Sequence, residues 1–264
     1  MTNEIPIFII SHGRADNVAT LAALDNAGIT DNIFIVVDDL DEQRASYEEK
    51  FGTRCIVFDK REIAKETETM DNFGIMATPV YARNYVQKYA KANGIIHYIV
   101  MDDDITKFGG KIVDKGKFKT RKINDIEPIF SSLFDFLDSS PNLTVLSLAN
   151  EGGYFGGMNG EYKNGLVWKI QQVMFCDSRK HIHWNGTYNE DMNATTFPDT
   201  IGYKVMSVFC KSPSRGSNTG GISYISQYMN NYYTYMLCPA AIGKGGTIRK
   251  GNAKAEIISD RWKK

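Results

Sequence analysis

This chain lacks the signatures of several large enzyme classes. No GxxxxGKS/T phosphate loop occurs, and "SHGRAD" (11–16), where the first apolar run ends, is not a GxGxxG. ATPase and dinucleotide-dehydrogenase chemistry therefore lose the backbone cradle they depend on. The four histidines form no HExxH, and neither a GxSxG nor a cysteine-protease signature is present. The four cysteines, Cys55, Cys176, Cys210 and Cys238, are far apart and form no CxxC, which argues against a zinc ribbon or a disulfide framework. Reduced cysteines in or near the core are the simpler reading. No apolar run reaches the roughly 18 residues of a spanning helix. The opening "MTNEIPIFIISHGR" carries an acid and moves straight into a strand, unlike a secretory leader, so a soluble, cytoplasmic protein without membrane contact is expected.

What is present is a globular composition. The 264 residues are 42% hydrophobic, 12% aromatic and 23% charged, enough for a sizeable core. Formal net charge is zero but uneven. Residues 1–106 hold 18 acids and 10 bases (net −8), and residues 107–264 hold 13 acids and 21 bases (net +8). Such asymmetry points the second half at a polyanion, although solvated surface lysines explain it equally well.

"IPIFII" (5–10), "IFIVV" (33–37), "RCIVF" (54–58) and "HYIVM" (97–101) are short, nearly unbroken apolar runs. Runs of this kind suit strands covered on both faces. Helical patterns at 16–27, 41–51 and 79–93 lie between them and stop at Gly28, Gly52 and Asn93-Gly94. The order predicts an α/β protein with a Rossmann-like, mainly parallel central sheet. Beyond it we expect a basic flexible loop at 107–122, a helix at 125–138 and a strand at 143–148. A glycine-rich loop at 150–165, a strand at 166–175, a helix at 223–235 and a Gly/Lys tail at 243–254 follow. No linker separates the halves, so a single domain over 1–264 is expected: a donor half (1–106) and a mixed, loop-rich acceptor half (107–264).

Ligands of open α/β sheets gather at the carboxyl ends of the strands. Four features fall there: Ser11-His12-Gly13-Arg14 after the first run, Asp38-Asp39 after the second, Arg83-Asn84 on the helix at 79–93, and Asp102-Asp103-Asp104 after the fourth. Clustered carboxylates on a rigid strand end are hard oxygen ligands for Mg²⁺ or Mn²⁺, and a dication would relieve their repulsion. The bland alternative is an acidic turn. Arg14 and Arg83 could grip phosphates with their forked donors, or serve as ordinary ion-pair partners. Asp38 or Asp39 could accept from a ribose or base, or cap the following helix. His181 and His183 are expected on one face of a strand, without the further ligands that a zinc site needs. "HIHWNGTYNEDMNATTF" (181–197) brings Trp184, Tyr188, Glu190 and Asp191 together. An aromatic beside an acidic pair suits a sugar or base next to a proton-accepting carboxylate; a turn and an acidic helix start are the plainer account.

The ordered set "IPIFIISHGRADNVATLAAL" (5–24), "GIMATPVYARN" (74–84) and "HYIVMDDDITKF" (97–108), with the later "ED" (190–191), resembles the GT-A glycosyltransferases. Within them it is most similar to the phage-borne TET-associated group. The likeness is good over 5–108 and loose beyond. It implies a GT-A-like fold and a metal-dependent transfer from a nucleotide sugar, expectedly a UDP-sugar, to hydroxymethylated pyrimidines such as 5-hydroxymethylcytosine in phage DNA. That modification would protect the DNA from host nucleases in the cytoplasm of the infected bacterium. It places Ser11, His12, Arg14, Asp38, Asp39 and Asp103 around the donor nucleotide and Arg83 near the sugar or diphosphate. The Mn²⁺ or Mg²⁺ falls to Asp102 and Asp104, although Asp104 stands where related sequences often have Asn. Asp191 is the implied base, with Glu190 as the alternative. Many relatives add a late histidine to the metal. None follows His183 here, so His181, His183, another oxygen donor or water would fill that role.

"KFGGKIVDKGKFKTRK" (107–122) holds seven bases against one acid and two interleaved phenylalanines, which suits a DNA backbone. Lys111, Lys117, Lys119 and Arg121 are its acceptor-binding candidates, with Trp184 and Tyr188 beside an extruded base. "KSPSRGSNTGG" (211–221) adds a further basic loop. Alternatives are a glycan or protein acceptor, a nucleotidyltransferase, and a non-enzymatic DNA-binding module. A monomer or small homo-oligomer is expected.

Overall fold

The computed structural model describes residues 5–69, 74–115, 117–141, 143–148, 170, 172–187, 190–196, 204–208 and 210–211. Chain order is β1 (Ile7–Ile10), α1 (Ala19–Asp25), β2 (Ile33–Asp38), α2 (Arg44–Phe51), β3 (Cys55–Phe58), α3 (Lys60–Glu66), α4 (Val80–Ala92) and β4 (His97–Asp102). There follow β5 (Gly109–Asp114), β6 (Lys117–Lys122), α5 (Glu127–Ser139), β7 (Leu143–Leu148), β8 (Val173–Asp177), α6 (Glu190–Thr196), β9 (Lys204–Val208) and β10 (Cys210–Lys211).

A seven-stranded sheet has the order β3-β2-β1-β4-β8-β7-β9. Its first four strands are mutually parallel, β8 runs antiparallel to both β4 and β7, and β7 pairs parallel with β9. The chain leaves β1 toward β2 on one side and returns as β4 on the other. A crevice therefore opens at the carboxyl ends of β1 and β4, where such a reversal of strand order places ligands.

Strict alternation explains how the sheet is covered. Ile7, Ile9, Ile35, Ile99 and Met101 pack on one face against Leu24 of α1, Tyr47 of α2 and Phe130 of α5. Phe8, Ile10, Val36, Tyr98 and Val100 face the other way, against Ile63 of α3 and Val80, Tyr81, Val86 and Ala90 of α4. Side chains buried this fully contribute about 1.5–3 kcal/mol each. The α/β class with a mainly parallel sheet is as expected.

Four expectations are corrected. The segment 107–122 is not a flexible loop: β5 and β6 form an antiparallel hairpin, joined by β10 into a second, three-stranded sheet. A helix, α3, stands between β3 and α4 where none was expected. The strand expected at 166–175 is observed as β8 at Val173–Asp177, residues 166–169 lying outside the described residues. His181 and His183 sit in an irregular segment rather than on a strand. The expected elements at 150–165, 211–221, 223–235 and 243–254 lie outside the described residues, save Lys211 at the end of β10. Among the described residues no helix is long and apolar enough to cross a membrane.

Candidate active site

The aspartate turn after β4 is held by α1. The Thr20 N–H donates to the Asp103 carbonyl, the Thr20 hydroxyl donates to the Asp102 carbonyl at 2.6 Å, and that hydroxyl accepts the Ile105 N–H at 3.0 Å. Fixed in this way, the three side chains diverge. Asp103 turns to β1, where Ser11 Oγ donates to its Oδ2 and Arg14 Nη1 to its Oδ1, both at 2.6 Å. Asp102 accepts from Arg83 Nη2 at 3.2 Å. Asp104 accepts from Gln172 Nε2 at 2.8 Å.

Arg83 reaches the cluster because it lies on the same helical face of α4 as Val80, Gln87 and Ala90, all buried. Its Nη1 donates to Glu190 Oε1 in the first turn of α6, and its guanidinium lies 4.9 Å from the Trp184 ring. Trp184 itself is only 3% exposed, so its ring backs Arg83 from within the core. Asn84 holds this segment by donating to the Trp184 carbonyl at 2.9 Å. Gly186 and Thr187 donate to the carbonyls of Glu68 and Thr69. Asp191 stands beside Glu190 in α6, whose first turn carries both acids.

Negative charge is in excess here. Burial pushes the Asp102 carboxyl above its ordinary range; Arg83 opposes the shift, while Asp104 and Asp103 add to it. Asp103 is raised by burial against the pull of Ser11 and Arg14. Glu190 is raised by burial and by Asp191, again against Arg83. Burial alone would depress Arg83, but Glu190, Asp102 and Asp191 outweigh it and hold the guanidinium above its usual value. A raised arginine among raised carboxylates means that several acids compete for one cation. The arrangement favours a further positive group.

The second strand end is different. Asp38 Oδ2 accepts from His12 Nδ1 at 2.9 Å and from Lys60 Nζ at 3.0 Å, and its Oδ1 accepts the Leu40 N–H. Burial favours the neutral acid, yet these bonds from His12 and Lys60 hold Asp38 below its ordinary value. The Asp38 bond in turn raises His12, whose ring is more than half exposed. Asp39 accepts the Lys60 N–H at 2.8 Å and so serves the start of α3. Both carboxylates are thus committed to protein donors, leaving His12 as the exposed face of this group.

Sequence reasoning missed Lys60, Tyr47 and Gln172. Tyr47 accepts the Arg14 N–H and lies 2.7 Å from Ser11 Oγ. Lys111, Lys117, Lys119 and Arg121 all fall on the β5–β6 hairpin, with Arg121 exposed. Tyr188 lies outside the described residues. One cavity, of about 390 Å³, lies between Ala23 and Asn26 of α1 and the base of the hairpin at Phe108 and Lys122, and the aspartates do not line it. Among the described residues, a trio with metal-ligand spacing occurs at the opposite end of β4: His97, Asp138 and Asp177. Arg179 fills it, donating to Asp177 at 2.8 Å and Asp138 at 3.1 Å, so it reads as an ion-pair network.

The family model of the TET-associated glycosyltransferases matches residues 5–197, well over half of the chain. The chain belongs to the TET-associated glycosyltransferase family. The protein is accordingly a glycosyltransferase, and the matched span runs from β1 through α6. Curated proteins give no match. Among solved structures, a cytidylyltransferase from Leptospira borgpetersenii serovar Hardjo-bovis is similar at TM-score 0.42 and 9% identity, covering 88% of this chain and 87% of that one. A mannose-1-phosphate geranyltransferase from Thermus thermophilus is similar at TM-score 0.39 and 13% identity, covering 80% and 75%. Both likenesses are remote, and the assignment rests on the sequence match.

Proposed function

We propose that this glycosyltransferase moves a sugar from a nucleoside-diphosphate sugar, with uridine the expected nucleoside, to the hydroxymethyl oxygen of 5-hydroxymethylcytosine or a related pyrimidine in double-stranded DNA. The observation that carries the reading is the meeting of Arg14, Arg83, Asp102, Asp103 and Asp104 at the ends of β1 and β4 in a member of this family. Forked guanidinium donors beside carboxylates suit a diphosphate and its counter-ion.

The residues fit a divalent cation such as Mn²⁺ or Mg²⁺. The donors are hard oxygens with negative charge in excess, and the buried Oε1 of Gln172, on the amide bound to Asp104, has no hydrogen-bond partner. Asp102 and Asp104 would hold it, and when bound it would offset charge on the departing diphosphate. Ser11, Arg14 and His12 line the nucleotide side, with Asp38 and Asp39 supporting them. Arg83 stabilises the leaving group. Asp191 takes the proton of the acceptor hydroxyl as that oxygen bonds to the anomeric carbon. The bond from that carbon to the diphosphate breaks, the diphosphate leaves with the electron pair, and the configuration inverts.

The basic hairpin with Lys111, Lys117, Lys119 and Arg121 follows the phosphate backbone and Tyr188 serves the acceptor side, while buried Trp184, expected beside the base, acts through Arg83, which its ring backs. We read 1–264 as one catalytic unit acting in the cytoplasm of a phage-infected host. The test is incubation with hydroxymethylcytosine DNA, a panel of UDP-sugars and Mn²⁺ or Mg²⁺, with nucleosides read by mass spectrometry. A mass gain of one hexose or pentose is expected. No gain with DNA but turnover on a glycan would overturn the acceptor.

A further inference from the structure

Gln172 stands immediately before β8 and is bound to the aspartate turn twice. Its main-chain carbonyl accepts the Asp102 N–H at 3.1 Å, and its side-chain Nε2 donates to Asp104 Oδ1 at 2.8 Å. The residue is 6% exposed, and its Oε1 is buried without a hydrogen-bond partner. Exchanging the amide's two ends does not resolve this, because oxygen would then face the Asp104 carboxylate, two acceptors in contact. A buried acceptor left unmet costs about 1–3 kcal/mol, so a group that meets it in the working enzyme is the economical explanation.

The surroundings decide what that group is. The amide lies against the Asp104 carboxylate, itself an acceptor, and the terminal guanidinium nitrogens of the cluster are engaged, Arg14 with Asp103 and Arg83 with Asp102 and Glu190, although Arg83 Nε is likewise buried without a partner. An acceptor-only oxygen beside carboxylates calls for a positive partner. An amide oxygen and a carboxylate oxygen, here on side chains that the Nε2 bond holds together, are the kind of donors that a hard divalent cation takes.

We propose that Gln172 contributes its side-chain oxygen to the coordination sphere of the divalent cation at Asp104, while its Nε2 fixes the Asp104 carboxylate. This rests on the metal-dependent reading above. Gln172 then provides the oxygen donor that a chain without a histidine after His183 needs.

The test is Mn²⁺ titration of the full-length protein, with free ion followed by electron paramagnetic resonance, with and without UDP. Q172M removes the oxygen at nearly the same volume and is expected to weaken Mn²⁺ binding about tenfold or more. Q172E keeps an oxygen there, adds charge, and is expected to match or exceed wild-type affinity. Circular dichroism and the apo unfolding midpoint verify the fold. Should Q172M fail to fold, Q172N, which withdraws the amide by one methylene, is expected to weaken binding in the same sense. Wild-type binding with unchanged affinity in Q172M overturns the Gln172 assignment alone. So does a loss in Q172E as large as in Q172M, which would mean that only the Nε2 bond to Asp104 matters. Absence of Mn²⁺ binding in the wild type overturns the cation reading and the assignment together.

Discussion

Arg83 Nη1 lies 2.5 Å from Glu190 Oε1, a part-buried ion pair that joins α4 to the first turn of α6 across 107 residues of sequence. Since Arg83 also holds Asp102, one guanidinium ties the acid pair of α6 to the strand end that carries the aspartates. The pair separates the roles of two adjacent acids. Glu190 is bound to Arg83, and Asp191 is the acid proposed for proton transfer. D191N is therefore expected to lower kcat by about 10²–10⁴ with little change in donor KM, the usual range for losing a general base. E190Q keeps a hydrogen-bond acceptor for Arg83 and should lose much less in kcat. Steady-state kinetics on both variants, with sugar transfer to DNA as the readout, check this. A larger kcat loss in E190Q than in D191N would reverse the assignment.

The hairpin makes its own prediction. Lys117, Lys119 and Arg121 occupy alternate positions of β6, about 6.8 Å apart along the strand. If this strand follows DNA phosphates, K117A/K119A/R121A should flatten the slope of log K against log salt by about 2.7, from roughly 0.9 per lost phosphate contact. Binding to DNA with and without hydroxymethylcytosine should weaken equally. Fluorescence anisotropy across a salt series measures both. An unaltered slope would move the backbone contact elsewhere.

How legible this was depends on the distance over which each signal acts. β1, β2, β3 and β4 announce themselves because strands covered on both faces must be apolar throughout. Their carboxyl ends then follow, and with them Ser11, Arg14, Asp38 and Asp102. α3 hides because its segment buries only Lys60 and Ile63 and, Ala64 apart, is otherwise charged. Asp59 followed by Glu62, whose N–H the Asp59 side chain accepts, was the available signal of a helix start. The hairpin also had a local mark, the short apolar pair of "KIVD" and the polar–apolar alternation of "KFK" on either side of Lys115-Gly116, with Lys115 at φ 50°. Gln172 and Lys60 had none. Gln172 meets Asp104 across 68 positions and Lys60 meets Asp38 across 22, pairings that only the completed sheet creates.

At the far end of β4, Asp177 links stability to pH. Burial would raise its pKa, but Arg179, bonding through its backbone N–H, Nε and Nη2, outweighs burial and holds the carboxyl below 3.8. A carboxyl depressed in the folded state contributes stability that is complete above the unfolded pKa. That contribution fades as pH falls through the folded value. D177N should therefore destabilise the protein near neutral pH by about 1.5–3 kcal/mol, the range for hydrogen bonds to a charged group. The difference from wild type should shrink below pH 3.8. Urea unfolding at a series of pH values reads this directly. A difference that stays constant down to the lowest pH would remove Asp177 as the linked group.

Lys60 and Asp38 form a closely enclosed ion pair at the end of β2, with side chains 6% and 5% exposed. Removing one partner of such a pair leaves a buried charge unmet, whereas removing both leaves a neutral site, so the two losses should not add. K60M alone is expected to cost about 3–5 kcal/mol. His12 remains on Asp38 and bears part of the load, so a K60M loss that grows as His12 deprotonates is also expected. The sign follows from the raised His12 pKa: the imidazolium and its bond to Asp38 persist below that value and are lost above it. The double variant D38N/K60M should recover a substantial part of the K60M loss. Chemical denaturation of the two single variants and the double closes the cycle. Additive losses would mean that Lys60 stabilises α3 through its packing and its N–H bond to Asp39 rather than through the charge of Asp38.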